Sequence, residues 1–324
     1  MYLFLQGGVK MVPTFLKRLC KPSTRAFWNA ARKRPGGSIM EAVHGLFYLK
    51  WPELYISIGL GRSPLVRFLR EPAYWLGRAM KLWGDDAGAR FADTYHGKTV
   101  PLPEAERLIR LDRPLKLEVP ERVLPYTAAR DIILDHPGDI ALLRCPCRAT
   151  MKTPCLPLEV CILVGKHVVD FVLEHHPRKA RRVSVDEAVG VLRDSRKRGH
   201  VSHAFFKEAV LGRYYAICNC CSCCCGAIQA HKSGTPMLAP SGYTAVANLE
   251  HCAGCGKCAK VCQFGAAALL RDKDSLLPVI DRENCFGCGV CVAHCAKKAI
   301  RLERDPAKPA PLVFNAKGDG LEAD

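Results

Sequence analysis

The sequence predicts an α+β protein with a helical N-terminal region, a mixed cysteine-rich middle module and a small C-terminal domain made of two similar halves. Three observations lead to this prediction. Aromatic and basic residues divided by prolines and glycines fill the first 95 residues, and this pattern indicates short helices. Apolar runs of helical and strand length alternate in the middle of the chain, which also holds ten of the nineteen cysteines. The C-terminal part then repeats one cysteine spacing twice.

We predict three domains and a tail from these shifts in composition. They are a basic, aromatic-rich helical region over residues 1–95, a cysteine-rich metal-binding module over residues 96–240, the domain with the repeated spacing over residues 241–304, and a flexible tail over residues 305–324. No stretch reaches the ~18 uninterrupted apolar residues of a membrane span, and the opening residues lack the basic start of a secretion signal. Many closely spaced cysteines without such a signal indicate metal ligands in a reducing cytoplasm rather than disulfides. We therefore expect a cytoplasmic protein, with a position at the membrane periphery as the alternative.

The net charge of +17 belongs mainly to the N-terminal region. Residues 1–110 hold 18 Lys and Arg against 8 Asp and Glu, and all four tryptophans lie before residue 96. The pattern from Leu65 to Trp83 predicts a broken amphipathic helix. We interpret the region as a helical cap on the middle module; a docking surface for a partner, or peripheral contact with an anionic membrane, is the second interpretation. Nucleic acid is not expected as a partner, because no recognisable binding module accompanies the charge.

The middle module contains predicted helices and strands that deliver its cysteines. An extended linker is predicted over residues 96–140. The predicted helices are Tyr126 to Asp135, Ile162 to Glu174 and Ser184 to Lys197. The predicted strands are Ile140 to Leu143, His203 to Phe206 and Tyr214 to Ile217. Ser184 and Glu187 form a capping-box signature at the start of a helix, and Gly199 is placed to end that helix. The two strands bracket a turn at Gly212. A helix followed by a hairpin can be the remnant of a winged helix, but a scaffold for the cysteines is the simpler interpretation.

Two runs of four cysteines share the spacing C-x2-C-x2-C-x3-C. They are Cys252, Cys255, Cys258 and Cys262, followed by Cys285, Cys288, Cys291 and Cys295. A cubane iron–sulfur cluster needs thiolates that converge from several directions, and x2 loops let three neighbouring sulfurs surround one face of it. The glycines between these cysteines allow the tight turns that this requires. Zinc also uses cysteine pairs two residues apart, normally as two pairs, and is the alternative.

The two runs resemble those of two-cluster bacterial ferredoxins, over roughly Tyr243 to Arg304. The resemblance implies two 4Fe–4S clusters with crossed ligands, one held by Cys252, Cys255, Cys258 and Cys295, the other by Cys285, Cys288, Cys291 and Cys262. The predicted elements of this pseudo-twofold domain are strands at Tyr243 to Leu249, Ala266 to Leu270, Leu277 to Ile280 and Ala299 to Leu302, and helices at Lys257 to Cys262 and Val290 to Cys295. The family usually has Pro after the fourth cysteine of a run, whereas Gln263 and Ala296 stand there in this chain. Each restores a backbone N–H that Pro lacks, and a donor near cluster sulfur can shift a reduction potential.

Ten further cysteines precede these runs in the middle module. They are Cys145, Cys147, Cys155 and Cys161, followed by Cys218, Cys220, Cys221, Cys223, Cys224 and Cys225. Six thiols within eight residues oxidise readily unless they are ligated, so we interpret them as metal ligands, with a disulfide relay or redox switch as the alternative. We predict one or two additional iron–sulfur clusters, one of them on Cys145, Cys147, Cys155 and Cys161, with the array from Cys218 to Cys225 forming or completing another. The flanking Arg144 and Arg148 either offset cluster charge or are ordinary surface arginines.

The order of these cysteines ahead of the two runs resembles a cysteine-rich module of iron–sulfur proteins from anaerobes. That resemblance implies further cluster binding but no particular reaction. We therefore expect an electron-transfer protein that serves a redox protein or an oxidoreductase complex, rather than a stand-alone enzyme, and no catalytic residue is identified. Two alternatives stay open: a cluster-dependent reductase with its active site at Cys218–Cys225, and a redox or iron sensor.

Overall fold

The computed structural model describes residues 20–34, 37–63, 95–111, 115–116, 133–134, 138–272 and 275–312. Within these residues the protein is α+β, as the sequence predicts. The helices are α1 (Pro22–Lys33), α2 (Ile39–Lys50), α3 (Pro52–Gly59), α4 (Leu102–Ile109), α5 (Pro146–Ala149), α6 (Lys166–His175), α7 (Val185–Lys197), α8 (Gly226–Lys232), α9 (Lys257–Val261) and α10 (Val290–His294). The strands are β1 (Tyr95–Val100), β2 (Leu115–Lys116), β3 (Ile133–Leu134), β4 (Ile140–Arg144), β5 (Glu159–Val164), β6 (Ala180–Arg182), β7 (Val201–Lys207), β8 (Arg213–Cys220), β9 (Leu238–Ala239), β10 (Tyr243–Ala247), β11 (Ala267–Asp272), β12 (Ser275–Ile280) and β13 (Ile300–Arg304).

A seven-stranded sheet forms the centre of the protein, in the order β6-β4-β5-β8-β7-β1-β9. Neighbouring strands are antiparallel except for β1 and β9, which pair in parallel. β1 lies within the segment predicted to be an extended linker, so that prediction is wrong here. The reason is burial: every residue from His96 to Val100 is buried between β7 and β9, where the backbone groups find partners in the sheet.

Helices cover both faces of the sheet, because alternate residues of each strand point to opposite sides. On the first face, Leu143 and its neighbours pack against α1, α2 and α6. Phe27 of α1 is fully buried there and contacts Phe171 of α6 edge to face, with ring centroids 6.0 Å apart. On the second face, Leu142 packs against α4 and α7. α1 and α2 therefore form the cap predicted from the sequence, whereas Leu65 to Trp83 lies outside the described residues.

Two predicted helices of the middle module differ from the structure. The helix predicted at Tyr126 to Asp135 is wrong at its end, because Ile133–Leu134 pairs as a strand with Leu115–Lys116; residues 126–132 lie outside the described part of the chain. The helix predicted from Ile162 starts only after Gly165, which has a φ of 89°. The residues before that glycine form the buried strand β5 instead. An apolar run buried on both faces of a sheet has no periodicity that separates it from a helix.

The other predicted elements of the middle module are confirmed. The side chain of Ser184 accepts a hydrogen bond from the backbone N–H of Glu187 (3.2 Å) and so caps α7. Gly199, with a φ of 80°, follows the end of that helix. β4, β7 and β8 contain the three predicted strands. They lie inside the large sheet, which agrees with a scaffold for the cysteines and not with a winged helix.

Residues 243–304, which we call the C-terminal unit, consist of two similar halves. β10 pairs with β13, β11 pairs with β12, and α9 and α10 each lie within one cysteine run. Each helix and strand predicted here is present, with only small shifts at the ends. The strong local signals of cysteine spacing and glycine turns explain this agreement.

The segment after the C-terminal unit is packed and not loose. Asp305 is buried and its carboxylate accepts a hydrogen bond from Thr244 Oγ1 (2.6 Å). The buried Lys98 of β1 donates to the carbonyl oxygen of Ala310 (2.7 Å). The flexible tail predicted over residues 305–324 is therefore wrong for residues 305–312, because charged partners hold them; the remainder lies outside the described residues.

Candidate metal centres

The cysteines of the middle module meet at one end of the central sheet, although they come from separate elements. β4 leads directly to Cys145, and α5 carries Cys147. Cys161 of β5 lies opposite Cys218 of β8 in the strand register. β8 ends at Cys220, and the segment that follows supplies four more cysteines, which are Cys221, Cys223, Cys224 and Cys225. Strand pairing therefore unites ligands that sequence spacing keeps apart.

Six of these cysteines form one group, the six-cysteine set. Its members line one cavity and contact one another through their sulfurs; they are Cys145, Cys147, Cys161, Cys218, Cys220 and Cys225. The hydrogen bond with Cys147 raises the pKa of Cys145 to about 12. Hydrogen bonds with Cys145 and Cys218, together with burial, raise the pKa of Cys161 well above its usual range. The thiols of Cys145 and Cys161 are thus neutral until a metal cation replaces their protons.

The cavity beside the six-cysteine set has a volume of about 160 Å³. α2 and α3 form its opposite wall, where Leu49 and Ile56 are among the apolar side chains. Tyr48 and Tyr215 place their hydroxyl groups at the same cavity, 2.7 Å from one another. Soft thiolates that converge on a mostly apolar space fit an iron–sulfur cluster.

Arg148 is a buried cation beside the cysteines, and not a surface arginine, with only 1% of its area exposed. Its Nη1 donates to the carbonyl oxygen of Pro157 (2.5 Å) and its Nη2 to that of Asn219 (3.1 Å). Nη2 also lies 3.2 Å from Nδ1 of His200. Burial raises the pKa of Cys221 to about 12, and the charge of Arg148 opposes that increase. Arg148 therefore stabilises thiolates at this end of the sheet.

Arg62, which sequence reasoning missed, joins two cysteine segments from the N-terminal side. Its Nη1 donates to the carbonyl oxygen of Cys147 and to Thr150 Oγ1, both at 2.8 Å. Its Nη2 donates to the carbonyl oxygen of Cys224 (3.0 Å) and to Gln229 Oε1 (2.9 Å). No sequence signal distinguishes this arginine from the other basic residues of the region.

The remaining four cysteines form a second group, the four-cysteine set. Its members are Cys155, Cys221, Cys223 and Cys224, whose Sγ atoms all lie within 4.8 Å of one another. Cys155 Sγ lies 3.1 Å from Cys223 Sγ, which lies 3.7 Å from Cys224 Sγ. A turn closed by the hydrogen bond from the N–H of Cys224 to the carbonyl oxygen of Cys221 (3.3 Å) carries three of these sulfurs.

The two sets divide the cysteines differently from the sequence prediction. That prediction grouped Cys155 with Cys145, Cys147 and Cys161, whereas the structure places Cys155 in the four-cysteine set. The reason is that the run of six cysteines contributes to both sets. Its strand part and its last residue line the cavity, and the turn between them, although Cys221 and Cys224 also reach the cavity, brings three sulfurs within 4.8 Å of Cys155 Sγ. Spacing alone does not show where a strand gives way to a turn.

In the C-terminal unit, one site has the crossed ligands that the ferredoxin resemblance implies. A small cavity of about 20 Å³ is lined by Cys262 of the first run and by Cys285, Cys288 and Cys291 of the second. Burial, followed by the charges of the other three thiols, raises the pKa of Cys291 to about 12. Cys262 therefore belongs spatially to the second run.

The other site of the C-terminal unit is more exposed. Burial raises the pKa of Cys258, and the charges of Cys252 and Cys255 add to this effect. The sulfur of Cys252 accepts a hydrogen bond from the N–H of Gly254 (3.4 Å), and Cys255 is exposed. Cys295, the fourth ligand that the resemblance implies, is half-buried against the same apolar cluster as Cys258.

α7 supplies a buried cation to the more enclosed of these two sites. Arg196 is 4% exposed, and its Nη1 donates to the carbonyl oxygen of Cys288 (2.5 Å). Its Nε and Nη2 are buried without a hydrogen-bond partner in the part of the chain that the structure describes. Buried donors without partners are costly, and an anionic cluster at Cys288 and Cys291 would satisfy both charge and hydrogen bonding. The residues present thus fit a cluster at this site.

Comparison with protein families identifies the C-terminal unit. Residues 251–300 match a 4Fe-4S dicluster domain. This match confirms the ferredoxin-like part of the sequence prediction and covers both cysteine runs, and the C-terminal unit is called the dicluster domain from here on. The match does not extend to the middle module, whose resemblance to proteins of anaerobes stays a prediction. A search of curated proteins found none that matches the chain.

Gln263 ties the dicluster domain to the middle module. It follows Cys262 at the position where ferredoxins usually have Pro. Its Oε1 accepts a hydrogen bond from the N–H of Ser222 (2.8 Å), and its Nε2 donates to the carbonyl oxygen of Gly199 (2.9 Å). Ser222 lies in the turn of the four-cysteine set, so the departure from the family pattern has a structural role.

Aromatic residues fill the same boundary. Phe264 stacks on Phe286, with ring centroids 3.9 Å apart and planes 9° apart. His231 of α8 meets Phe286 edge to face at 5.0 Å. His203, which lies opposite Cys218 in the sheet, contacts Phe264 at 6.2 Å. The second cysteine run therefore faces the central sheet, while the exposed Cys255 belongs to the other site.

No helix among the residues that the structure describes is both long and apolar enough to cross a membrane.

Proposed function

We propose that this protein transfers electrons between its dicluster domain and a further iron–sulfur cluster held by the six-cysteine set, in the service of a partner redox enzyme. The dicluster domain gives the chain an iron–sulfur electron-transfer role. The observation that extends this role is the six-cysteine set around one cavity. Six thiols packed together oxidise readily when they are free, and iron–sulfur clusters supply reversible one-electron transfer when bound.

The boundary between the dicluster domain and the middle module supports this proposal. Gln263 holds the end of the first cysteine run against the turn at Ser222. The stacked pair of Phe264 and Phe286 packs between the second run and the sheet. Arg196 contacts the second run from within α7, which belongs to the middle module. Such contacts fix the separation of two redox sites, which one-electron transfer requires.

In this proposal the partner docks on the N-terminal helices. Ile39, Met40 and Val43 of α2 are 59%, 75% and 48% exposed, in a region rich in basic residues. Exposed apolar side chains surrounded by charge are typical of interaction surfaces. The protein then acts in the cytoplasm as an electron carrier or as a subunit of an oxidoreductase complex. Sedimentation with anionic vesicles would instead support peripheral membrane contact.

The test is anaerobic reconstitution of the full chain with iron and sulfide. We expect about eight irons from the dicluster domain and at least about four more from the middle module, with matching acid-labile sulfide. Electron paramagnetic resonance of the reduced protein should show magnetic interaction between clusters. Cys161→Ala and Cys218→Ala should remove only the additional iron. An iron content that stays at about eight in the wild type, with no effect of these two variants, would refute the additional cluster.

A second candidate, a cluster-dependent reductase, is favoured by the cavity alone. Tyr48, Tyr55 and Tyr215 line this cavity together with the six-cysteine set. Tyrosine hydroxyls can donate protons to a substrate that is being reduced. Cyanide, added to the reduced protein as a probe, should change the resonance signal of the middle module if an iron there has an open position. A signal that cyanide leaves unchanged would eliminate this candidate.

A further inference from the structure

The four-cysteine set is more compact than a cubane cluster requires. All four of its Sγ atoms lie within 4.8 Å of one another, and two of the separations are 3.1 and 3.7 Å. In a tetrahedral site with metal–sulfur bonds of about 2.3 Å, the sulfurs lie about 3.8 Å apart. In a cubane each thiolate binds a different iron, so its sulfurs must lie farther apart than sulfurs on a single ion. The spacing therefore matches one metal ion and not four.

The four-cysteine set adjoins the cavity, which Cys221 and Cys224 also line, but its four sulfurs gather around one another at the Cys155 loop. The turn that carries Cys221, Cys223 and Cys224 presents these sulfurs to Cys155, while the next residue, Cys225, joins the six-cysteine set. The thiols that shift the pKa of Cys155 are the other three members of its own set. Two sites with separate ligands can hold different metals.

The surroundings suit a closed, anionic site. Four thiolates around a divalent ion leave a net charge of −2, and Arg148 supplies a buried positive charge next to Cys221. Arg62 donates to the carbonyl oxygen of Cys224 and fixes the turn from the other side. Four cysteine sulfurs without an open position are the ligands of structural zinc. A tetrahedral set of four sulfurs also accepts a single iron.

We propose that Cys155, Cys221, Cys223 and Cys224 bind a single tetrahedral thiophilic metal ion, with zinc as the resident ion. The ion joins the Cys155 loop to the turn that carries Ser222. Since the N–H of Ser222 donates to Gln263 (2.8 Å), the ion also positions the contact with the dicluster domain. This inference goes beyond the proposed electron transfer, because the site has a structural role and its metal does not carry electrons.

The experiment measures zinc, iron and acid-labile sulfide in the full chain, produced in medium that contains both metals. We expect one zinc per chain in the wild type and a loss of at least tenfold in Cys155→Ser and Cys223→Ser. Iron and sulfide should stay unchanged in both variants. Cys20→Ser, which alters an exposed cysteine outside both sets, is the matched control. Cys223 is exposed, so its substitution leaves the fold intact even if Cys155→Ser does not.

The alternatives give different results. Loss of about four irons with their sulfide in Cys155→Ser would show a cubane and overturn the proposal. Loss of one iron without sulfide would support the single-ion site but overturn zinc as its resident ion. Unchanged metal content, with a Cys155–Cys223 disulfide in mass spectra, would show a redox pair and overturn it. A second measurement replaces zinc by cobalt, whose visible absorption in a tetrahedral thiolate site should appear in the wild type and vanish in Cys223→Ser. Failure of the proposed electron transfer would appear in iron and sulfide, independently of zinc.

Discussion

The dicluster domain and the middle module both collect cysteines, but they do so by different means. In the dicluster domain, three of the four cysteines that line the enclosed cavity come from one short run, so local spacing determines most of that site. In the middle module, Cys161 and Cys218 meet only because β5 and β8 are neighbours in the sheet. Local spacing makes the first kind of site recognisable in a single sequence. The second kind depends on the fold, and its ligands can be grouped only when the strand order is known.

The two regions also differ in whether they bury charged side chains. The middle module buries Lys98, Glu104, Arg148, Arg196 and Lys207. Between residues 243 and 304, the described residues include no buried charged side chain. Burial of a charge is costly unless it is paired, so the middle module should be the region whose stability responds to pH and to loss of a single cation.

The largest expected effect separates the two kinds of site. Cys262→Ala should remove about four irons from the dicluster domain, and Cys161→Ala about four from the middle module. Each variant should leave the resonance signal of the other region intact, because the ligand sets do not overlap. Iron, sulfide and resonance spectra of anaerobic protein measure this, with Cys20→Ala as the control. If Cys161→Ala abolished both signals, the two regions would not be separate centres.

The same contrast explains what the sequence could predict. The helices and strands of the dicluster domain follow from glycines and cysteine spacing, which act over only a few residues. Gly256 and Gly289, for example, have φ values of 70° and 72° and directly precede α9 and α10. The pairing of Cys155 with the turn could not be predicted, because it depends on long-range strand order. Arg62 and Arg196 gave no local signal, since each is one arginine among many. Burial, which only the fold provides, distinguishes Arg196 from its neighbours.

Arg148→Met is expected to destabilise the middle module by about 1–3 kcal/mol, because two carbonyl oxygens lose their donor and one of them belongs to a buried residue. These are the carbonyl oxygens of Pro157 and Asn219. Urea unfolding of the cluster-loaded protein, followed anaerobically by cluster absorbance, measures the change. Arg148→Lys keeps the charge but not the two-armed geometry, so we expect it to recover only part of the loss. A midpoint equal to the wild type for Arg148→Met would contradict the role assigned to this cation.

Lys207 should make the stability of the middle module depend on pH. Burial lowers its pKa to about 7, although its Nζ lies 4.8 and 5.0 Å from the ring centroids of Tyr48 and Tyr55. Above that pH the folded protein holds a neutral lysine, whereas the unfolded chain stays protonated up to about 10.4. Folding then releases a proton, so stability rises with pH by about 1.4 kcal/mol per pH unit in this window and levels off below about 7. Lys207→Met should remove this contribution to the slope, measured by urea unfolding between pH 7.5 and 9 (about 1.5 pH units).

The control for Lys207→Met is Lys257→Met, which alters an exposed lysine of the dicluster domain. It should leave the slope unchanged, because this side chain is exposed to solvent in the folded protein as it is in the unfolded chain. Equal slopes for the wild type and Lys207→Met would mean that this lysine stays protonated in the folded protein. Lys207 would then contribute nothing to the pH dependence of the middle module.

The smallest expected effect tests whether the two regions depend on one another. Gln263→Pro restores the residue that ferredoxins usually have and removes the hydrogen bonds to Ser222 and Gly199. We expect a loss of about 1–2 kcal/mol, since two hydrogen bonds across a partly buried boundary are lost. Hydrogen exchange of the Ser222 amide should become faster, while iron content stays unchanged. Ala296→Pro makes the same replacement in the second run, where no side-chain hydrogen bond is lost, and should leave that amide protected. If both variants had the same effect, the change would come from proline itself, and Gln263 would not be the connection between the dicluster domain and the middle module.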